Sequence, residues 1–463
     1  MLFSSIEFLF RFLPVFMLIY LLVPEKYRNF VLLSGSLVFY GVGEPYYVLL
    51  LVFSILINYG LGRLILNDKL IEYKLPFLVF TLIVDFGLLF IFKYQNFVVE
   101  NINRLVSYEA IPVLDLVLPL GISFYTFQTV SYLIDCYRGK IKKAPSLIEF
   151  AVYVSMFPQL IAGPIVKFDE VSEKLKKRRI SSGGLENGLK RFSIGLGYKV
   201  LLANQIGTLW NTIMTAGAGN LSAPVAWLGA FAYSFQIYFD FWGYSLMAKG
   251  LGEMLGFRLP KNFDNPYASK SISEFWRRWH ITLGRWFKEY LYILMGGNRK
   301  GFVRTSFNLL VVWAFTGLWH GAGWNFLLWG LAFFVIISIE KSGIGKWLEK
   351  RKILGHIYVI VLIPITWVIF AITDIGQLGM YLQNMFGIHT GNVMVGNTQL
   401  FRYIKEYGVL FISCMIFATP YPMRLYRGYK NRWLVILIVA AVFWFSVYEI
   451  MVGSNNPFLY FRF

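Results

Sequence analysis

Charged side chains are scarce in this chain, and their scarcity excludes an ordinary soluble protein. Only 15% of its 463 residues are charged, whereas 57% are hydrophobic and 19% are aromatic. A soluble domain of this length does not need so much apolar surface, and the apolar runs are long enough to cross a lipid bilayer. We therefore expect an all-α polytopic membrane protein, because helices satisfy their backbone hydrogen bonds internally in lipid.

Cysteine and the familiar catalytic motifs are nearly absent as well. The two cysteines, Cys136 and Cys414, stand in or beside different apolar segments and make neither a disulfide framework nor a metal-binding pattern. No glycine-rich phosphate loop, H-E-x-x-H motif or G-x-S-x-G motif is present. Conventional ATPases, zinc proteases and serine hydrolases are therefore excluded. We expect neither a metal nor a permanently bound cofactor.

Positive charge is the one kind of charge in excess. Lys and Arg number 44 against 25 Asp and Glu, which gives a formal net charge of +19. The basic residues fall in short loops between apolar segments, which is typical of cytoplasmic membrane loops rather than of nucleic-acid binding. The pattern predicts about twelve membrane crossings with both termini outside, beginning with an uncleaved span at 8–24.

Two apolar stretches do not fit simple crossings. Residues 146–166 lie between two basic loops and contain Pro158 and the pair Gly163-Pro164, so we expect a re-entrant segment. The second stretch, Gly317-Leu318-Trp319-His320-Gly321-Ala322-Gly323-Trp324-Asn325, has glycines that interrupt a predicted helical hairpin. Irregular backbone at membrane depth is tolerated only where protein buries it or water reaches it. Both breaks therefore indicate an internal cavity.

A third segment, 271–290, is too polar to cross the membrane. Its large apolar side chains recur at helical spacing, namely Phe275, Trp279, Leu283, Trp286 and Tyr290. This spacing predicts an amphipathic helix at the cytoplasmic interface, capped at its start by Ser271 or Ser273. Because the chain has no internal repeat and no soluble linker, residues 1–463 are expected to form one membrane domain with an extracytoplasmic tail at 453–463.

His320 is one of only four histidines and the best candidate for chemistry. An ionisable residue at membrane depth is a functional candidate by default. A neutral imidazole in a dry cavity can act as general base toward a hydroxyl that attacks an activated carbonyl. Trp319 and Trp324 would supply apolar walls and N–H donors. The alternative is structural: the histidine satisfies a backbone carbonyl at a helix bend.

His280 and Asp240 are weaker candidates. His280 lies on the predicted interfacial helix, so it is either an interfacial residue or a second polar group at the mouth of the cavity. Asp240 stands in an aromatic run and is costly in lipid unless paired, so it either orients a histidine or forms a salt bridge with a basic loop residue. Asn262 and Asn265, in the loop before His280, either hydrogen-bond a ligand or shape turns.

The two histidine runs, NFDNPYASKSISEFWRRWHITLGRWFKEYLYILMGGNR and FTGLWHGAGWNFLLWG, resemble the membrane-bound O-acyltransferase (MBOAT) superfamily. They are most similar to its bacterial branch, which includes the membrane subunit of alginate O-acetylation and the D-alanyl transfer protein of the teichoic-acid system. The runs LPLGISFYTFQTVSYLIDCYRG, FPQLIAGPI and NPFLYFRF match the same branch, so the resemblance covers nearly the whole chain.

This resemblance implies a ring of about 11–13 membrane helices with re-entrant segments around a transmembrane tunnel. The family's invariant histidine falls on His320, and its second motif position falls on His280. The donor, an acyl thioester such as acetyl-CoA, would bind on the cytoplasmic side near Arg277, Arg278, Lys288, Asn298 and Arg299. A partner protein with an extracytoplasmic catalytic domain would then place the acyl group on a polysaccharide, at the bacterial cytoplasmic (inner) membrane.

The C-terminal run Phe458-Leu459-Tyr460-Phe461-Arg462-Phe463 resembles an F-x-Y-x-x-F-like segment of related systems. The tyrosine of that segment is thought to accept the acyl group. We therefore expect Tyr460 to fold back toward the outer mouth of the tunnel as an acyl relay. The alternative is an aromatic anchor at the headgroup level of the membrane.

Four functions are compatible with these features of the sequence. The first is O-acyl transfer, most simply of acetyl, to a cell-surface or secreted polysaccharide. The second, in the same class, is D-alanyl transfer to teichoic acid. A polytopic transporter also fits broken helices with polar residues, although no inverted repeat is visible. The fourth is a catalytically idle scaffold that recruits exopolysaccharide enzymes.

Overall fold

The fold is helical throughout the part of the chain that can be described. The computed structural model describes residues 1–114, 116–161, 163–299, 301–388, 394–453 and 458–459. Within these ranges there are no strands, only an isolated bridge between Leu221 and Val395. The all-α class predicted from composition is therefore confirmed.

The helices group into two compact units. The first comprises Met1–Phe192 and Met247–Pro260, and the second comprises Ser193–Leu246 and Lys261–Phe463. The helices Ser182–Gly197 and Ala223–Met254 contribute residues to both units. That residues 1–463 act as one membrane domain stays a prediction.

The first unit is built from helices joined by short π-helical and 3-10 segments. Its α-helices before the shared ones are Leu13–Leu22, Arg28–Gly43, Tyr47–Ile65, Lys74–Leu89, Gln95–Val106, Ile122–Tyr137, Leu147–Ser155, Phe157–Leu160 and Phe168–Lys176. The π-helical segments are Glu7–Phe12 and Phe90–Tyr94, and the 3-10 segments are Glu25–Tyr27 and Asp68–Tyr73.

The first unit contains the predicted break at 146–166. A capping box of Ser146 and Glu149 starts the helix Leu147–Ser155, and the chain leaves helical geometry at Met156. The ring of Phe157 then packs edge-on against Phe12 and Phe16, with centroids 5.5 and 5.2 Å apart. The bend is therefore stabilised by an aromatic cluster in the core of this unit.

The second unit contains the segments around both candidate histidines. Its α-helices are Gln205–Thr215, Ile272–Arg278, Ile281–Phe287, Gly301–His320, Trp324–Ile339, Gly345–Lys350, Lys352–Ala371, Ile375–Met385, Asn397–Ala418, Tyr421–Tyr429 and Trp433–Val452. The π-helical segments are Tyr198–Asn204, Lys288–Tyr292 and Glu340–Ile344, and the 3-10 segments are Ala218–Asn220 and Pro266–Ala268.

Several helices have the length and composition of membrane spans, which confirms a polytopic protein. Among the described residues these spans number 6, or up to 7 if the pair Asn397–Ala418 and Tyr421–Tyr429, bent by 69°, is one span. The six are Tyr47–Ile65, Asp68–Val106, Gly301–His320, Trp324–Lys350, Lys352–Ala371 and Trp433–Val452. Several other predicted crossings are shorter or interrupted helices. The segment at 8–24, for example, is the π-helical Glu7–Phe12 followed by Leu13–Leu22.

The continuous amphipathic helix predicted for 271–290 is broken in the structure. Two short helices, Ile272–Arg278 and Ile281–Phe287, are separated by Trp279 and His280, and a π-helical segment begins at Lys288. The prediction missed the break because helical spacing of apolar residues continues across it. The predicted start is confirmed, since Ser271 Oγ accepts the Glu274 N–H at 3.1 Å.

The helical hairpin predicted around His320 is present. Its two helices, Gly301–His320 and Trp324–Ile339, are separated by the non-helical residues Gly321 to Gly323. They cross at Gly317 and Gly330, where a Cβ atom on either residue would overlap a backbone carbonyl of the facing helix. Small residues of this kind allow close approach of membrane helices. The crossing fixes the end of the first hairpin helix, and with it His320.

Candidate active site

His320 is the last residue of the first hairpin helix and is only 4% exposed. Its imidazole is surrounded by aromatic rings: Trp319 and Trp329 have centroids 5.0 Å away, and Phe370 lies 5.2 Å away. All three rings meet the imidazole nearly at right angles, at 80° to 84°. His320 therefore lies in an aromatic enclosure, and the cavity expected at the glycine break stays a prediction.

His280 lies at the break between the two short helices and is 1% exposed. Its backbone adopts the left-handed conformation, with φ 43° and ψ 53°. That conformation is uncommon for a residue with a Cβ atom and costs on the order of 1 kcal/mol. The turn directs the imidazole inward, against the edge of Phe241, at a centroid distance of 4.7 Å.

Asn262 orients the His280 ring through a hydrogen bond. The Asn262 Oδ1 atom lies 3.1 Å from His280 Nδ1, and it also accepts the Thr282 backbone N–H at 3.2 Å. A backbone N–H can only donate, so this atom of Asn262 must be the oxygen. The Nδ1 atom of His280 therefore carries a proton and donates it, which leaves Nε2 as the proton-accepting nitrogen of the neutral ring.

The surroundings of His280 also favour its neutral form. His280 lies outside the candidate membrane spans, and burial lowers the pKa of its imidazole to about 3. The cause is desolvation, which penalises the charged imidazolium. At neutral pH, His280 is therefore an uncharged group that accepts a proton or hydrogen bond at Nε2.

Trp319 packs against both histidines. Its ring centroid lies 5.9 Å from that of His280 and 5.0 Å from that of His320. The structure thus brings the two predicted histidines into one site. A further polar group in this site belongs to Trp329, whose buried Nε1 atom has no hydrogen-bond partner within the described part of the chain.

A buried carboxylate fixes the helix that leads to His280. The oxygens of Glu340 accept the backbone N–H groups of Ile272 and Ser273 at 2.5 and 2.8 Å. These are the first N–H groups of the helix Ile272–Arg278, where a negative charge is favourable. Glu340 thereby holds the short helix, and the turn at His280 that follows it, against the second hairpin helix and its π-helical extension.

Asp240 makes an ion pair, but its partner is not a loop residue. The buried Lys199, in the π-helical segment Tyr198–Asn204, places Nζ 2.5 Å from Asp240 Oδ1. The other carboxylate oxygen accepts the Leu459 backbone N–H at 2.8 Å. Of the predicted tail at 453–463, only Gly453, Phe458 and Leu459 are described, and Tyr460 lies outside the described residues.

The remaining candidate residues of the sequence analysis lie outside the cluster around the two histidines or outside the described residues. Trp324 is 47% exposed at the start of its helix, so the apolar wall around His320 comes from Trp329 and Phe370 instead. Asn265 adopts positive φ at a turn, the structural alternative foreseen for it. His356 Nδ1 lies 3.1 Å from the Ser269 carbonyl oxygen, and His389 lies outside the described residues.

The predicted donor-side residues are mostly at the surface. Arg277, Lys288, Asn298 and Arg299 are exposed, whereas Arg278 is half-buried and pairs with Glu274 at 2.6 Å. Asn298 lines a cavity of 410 Å³ together with Gly301, Phe302, Thr305, Ser306, Leu309, Ser338 and Lys341. Their role in donor binding stays a prediction.

Sequence reasoning missed three residues around the site, namely Lys199, Glu340 and Phe370. Asn262 was named, but only for ligand binding or turns, and its hydrogen bond to His280 was not expected. The three missed residues lie on other segments of the chain, so no local pattern points to them.

Comparisons with known proteins agree on one family. The model of the membrane-bound O-acyltransferase family matches residues 139–382, which include both histidines. The chain is 39% identical to the probable alginate O-acetylase AlgI of Pseudomonas aeruginosa, over 84% of this chain and 76% of the relative. It is 33% identical to the peptidoglycan O-acetyltransferase of Helicobacter pylori, over 100% of this chain and 98% of the relative. It is 30% identical to the teichoic acid D-alanyltransferase of Streptococcus thermophilus, over 50% of this chain and 58% of the relative.

Proposed function

Because the chain belongs to the membrane-bound O-acyltransferase family and is an acyltransferase, we propose that it passes an acetyl group from a cytoplasmic thioester across the membrane for O-acetylation of a cell-surface or secreted polysaccharide. Acetyl-CoA is the donor, and the bacterial cytoplasmic membrane is the location. The observation that carries the proposal is the pair of buried histidines packed against Trp319, in the segment that the family model matches.

The names of the relatives support the acceptor and the acyl group. Two relatives that align along most or all of their length are named for acetyl transfer to alginate and to peptidoglycan. Both acceptors are glycan polymers with many hydroxyl groups. An extracytoplasmic partner protein would complete the transfer to the polymer.

The chemistry follows from the surroundings of His320. A nitrogen of His320 takes the proton of the acceptor hydroxyl while the hydroxyl oxygen forms a bond to the thioester carbonyl carbon. The carbon–sulfur bond then breaks, and the departing thiolate takes the proton back from His320. The aromatic enclosure excludes the water that would otherwise hydrolyse the acyl group.

Two further groups have roles in this scheme. Trp329 N–H donates to the carbonyl oxygen as negative charge develops on it, the role of an oxyanion-hole donor. Neutral His280, whose Nδ1 proton is engaged by Asn262, accepts a hydrogen bond at Nε2 and so orients the acceptor. On the donor side, Arg277, Arg278 and Lys288 attract the phosphates of the thioester electrostatically.

The acyl relay at Tyr460 belongs to the same proposal. Its phenol oxygen would take the acyl group as an ester and release it to the partner protein or the polymer. Tyr460→Phe removes this oxygen and keeps the ring. Polymer labelling should then fall to background while expression is unchanged, and transfer at the normal rate would contradict the relay.

D-alanyl transfer to teichoic acid is the second candidate. It is favoured by the match to a D-alanyltransferase, which is confined to half of this chain. A gene neighbourhood with a D-alanine-activating enzyme and a carrier protein would favour D-alanyl transfer. An exopolysaccharide synthase cluster would favour acetyl transfer.

The test is acyl transfer in membranes from cells that contain the native partner genes, supplied with radiolabelled acetyl-CoA. Polymer label should be lost in His320→Ala and retained in His356→Ala, a histidine that contacts only a backbone carbonyl in the described interactions. Equal labelling in both variants would remove His320 from the mechanism. If the wild-type protein transfers no label from acetyl-CoA, D-alanyl transfer is favoured, and the assay is repeated with labelled D-alanine.

A further inference from the structure

Asp240 connects two parts of the second unit through its two carboxylate oxygens. Oδ1 pairs with Lys199, and Oδ2 accepts the backbone N–H of Leu459. Both side chains of the ion pair are buried, with 4% of Lys199 and 3% of Asp240 accessible. A buried ion pair is weak evidence for stability, because apolar residues of the same volume often pack at least as well. The presence of this buried pair is better explained by a positioning role, in which it holds another part of the chain in place.

The backbone of the neighbouring helices is shaped to allow this pairing. Gly243 lies about one turn after Asp240, and a Cβ atom there would lie 2.6 Å from the Gly195 oxygen and 2.9 Å from the Lys199 nitrogen. The helix Ala223–Met254 therefore approaches the π-helical segment of Lys199 more closely than a larger residue would permit. π-helical segments occur frequently at functional sites.

A ring slot lies beside the ion pair and holds the residue before Leu459. Phe458 is 2% exposed and stacks on Tyr244, with centroids 4.7 Å apart and planes at 27°. The ring of Phe241 is a second described neighbour of Phe458, at a centroid distance of 6.1 Å. Tyr244 lies four residues after Asp240 and three after Phe241, so it neighbours both on the surface of the same helix. One helix face thus binds both the backbone and a side chain of the tail.

The slot is adjacent to the candidate active site. Phe241, which contacts Phe458, also packs edge-on against the His280 ring at 4.7 Å. The ring of Phe241 therefore contacts both Phe458 of the tail and His280 of the candidate site.

We propose that Asp240, paired with Lys199, and the rings of Phe241 and Tyr244 form a docking site for the chain's own C-terminal segment, and that Asp240 is a positioning residue that holds this segment beside His280. The role in acyl transfer rests on the proposed function, whereas the docking itself does not. A carboxylate accepts a backbone N–H more strongly than a neutral oxygen does, so Asp240 is well suited to hold the backbone of Leu459.

The docking is tested by hydrogen exchange of the C-terminal peptide in the full-length protein, read by mass spectrometry. A single change at Asp240 would leave the Lys199 charge buried and endanger folding, so the main variant is the double change Lys199→Met with Asp240→Leu. The exchange rate of the tail should rise at least tenfold in this variant, with the rest of the second unit unchanged. Phe458→Ala should raise it as well, without touching any charge.

Two controls make the result specific. The double change Arg191→Met with Glu253→Leu removes another helix–helix ion pair, at 3.1 Å, and should leave tail exchange as in wild type. Lys199→Arg keeps a cation next to Asp240, so the tail should stay as protected from exchange as in wild type. A tail that exchanges rapidly in wild type, or stays protected in the double variant, would overturn the docking site.

Polymer labelling then tests the positioning role. In the Lys199→Met, Asp240→Leu variant, kcat for polymer acylation should fall about tenfold while KM for the thioester donor stays unchanged. Normal kcat together with an exposed tail would refute positioning. A wild-type protein with a protected tail and no acyl transfer of any kind would refute the proposed function and leave the docking site in place.

Discussion

The two buried histidines of the second unit differ in the contacts that the structure describes for them. For His320 these contacts are the rings of Trp319, Trp329 and Phe370, which pack around the imidazole. For His280 they include a hydrogen bond from Nδ1 to Asn262, in a turn of left-handed backbone. Aromatic rings therefore enclose His320, whereas a defined hydrogen bond orients the ring of His280.

The difference assigns different chemistry to the two residues. A hydrogen bond at Nδ1 fixes the tautomer of a neutral histidine, so His280 has one defined accepting nitrogen. An aromatic enclosure excludes water and suits a proton transfer that must not compete with hydrolysis. We therefore expect His320 to move the proton and His280 to orient the acceptor. The following substitutions test this division.

The largest effect is expected at the enclosure of His320. Trp329→Phe keeps an aromatic ring but removes the buried indole N–H, so kcat for acyl transfer should fall about 10²-fold, as when an oxyanion-hole donor is lost. Trp324→Phe is the matched control, because it makes the same change at a ring that is 47% exposed. The measurement is polymer labelling at saturating donor. Equal rates in the two variants would show that Trp329 supplies only packing.

A smaller effect is expected at the polar network of His280. Asn262→Leu has a similar size but no acceptor, so His280 loses the bond that sets its tautomer, and Thr282 loses its partner. We expect kcat to fall about tenfold, at the lower end of the range for acid–base groups. Ser245, which receives a hydrogen bond from the Asn262 amide at 3.3 Å, gives the control Ser245→Ala. A greater loss in the control than in Asn262→Leu would argue against the tautomer role.

The same position allows a test by pH. The pKa of wild-type His280 is about 3, so the ring stays neutral and its ionisation should not appear between pH 5 and 8. Asn262→Asp places a carboxylate next to Nδ1 and raises this pKa, because an opposite charge favours the imidazolium. The protonated ring cannot accept at Nε2, so the rate should fall at low pH and recover as pH rises. An unchanged pH profile of kcat would contradict the assignment.

Local features of the site were predictable from sequence, and long-range contacts were not. The helix break at His320 was visible because glycines interrupt an apolar run, and the Ser271 cap was visible because capping is local. The partner of Asp240 could not be predicted, because Lys199 lies on another helix. The hydropathy of a sequence does not show which helices pack against each other. Trp324 was expected in the wall because it is near His320 in sequence, yet its helix turns it outward.

The break at His280 shows a second limit of prediction from sequence. Apolar residues at 275, 279, 283, 286 and 290 keep helical spacing and are all buried, but the backbone between them is not one helix. Periodicity reports which side chains face the core, and it does not report the backbone conformation of a single residue. The left-handed turn depends on tertiary contacts, among them the Asn262 hydrogen bonds and the cap supplied by Glu340.

The smallest effect on catalysis is expected at Glu340, which caps the helix before the His280 turn and lies 68 residues after Ile272 in sequence. Glu340→Gln keeps the size of the side chain but replaces one accepting oxygen by an amide donor, which would face a backbone N–H of Ile272 or Ser273. The buried, charge-assisted cap should therefore be weakened by about 2 kcal/mol, seen as a lower midpoint of thermal unfolding. Because Asn262 still orients the ring, kcat at low temperature should change less than twofold. Glu349→Gln, in the segment Gly345–Lys350, is the control. A large loss of kcat in folded Glu340→Gln protein would mean that the cap, rather than Asn262, determines the position of His280.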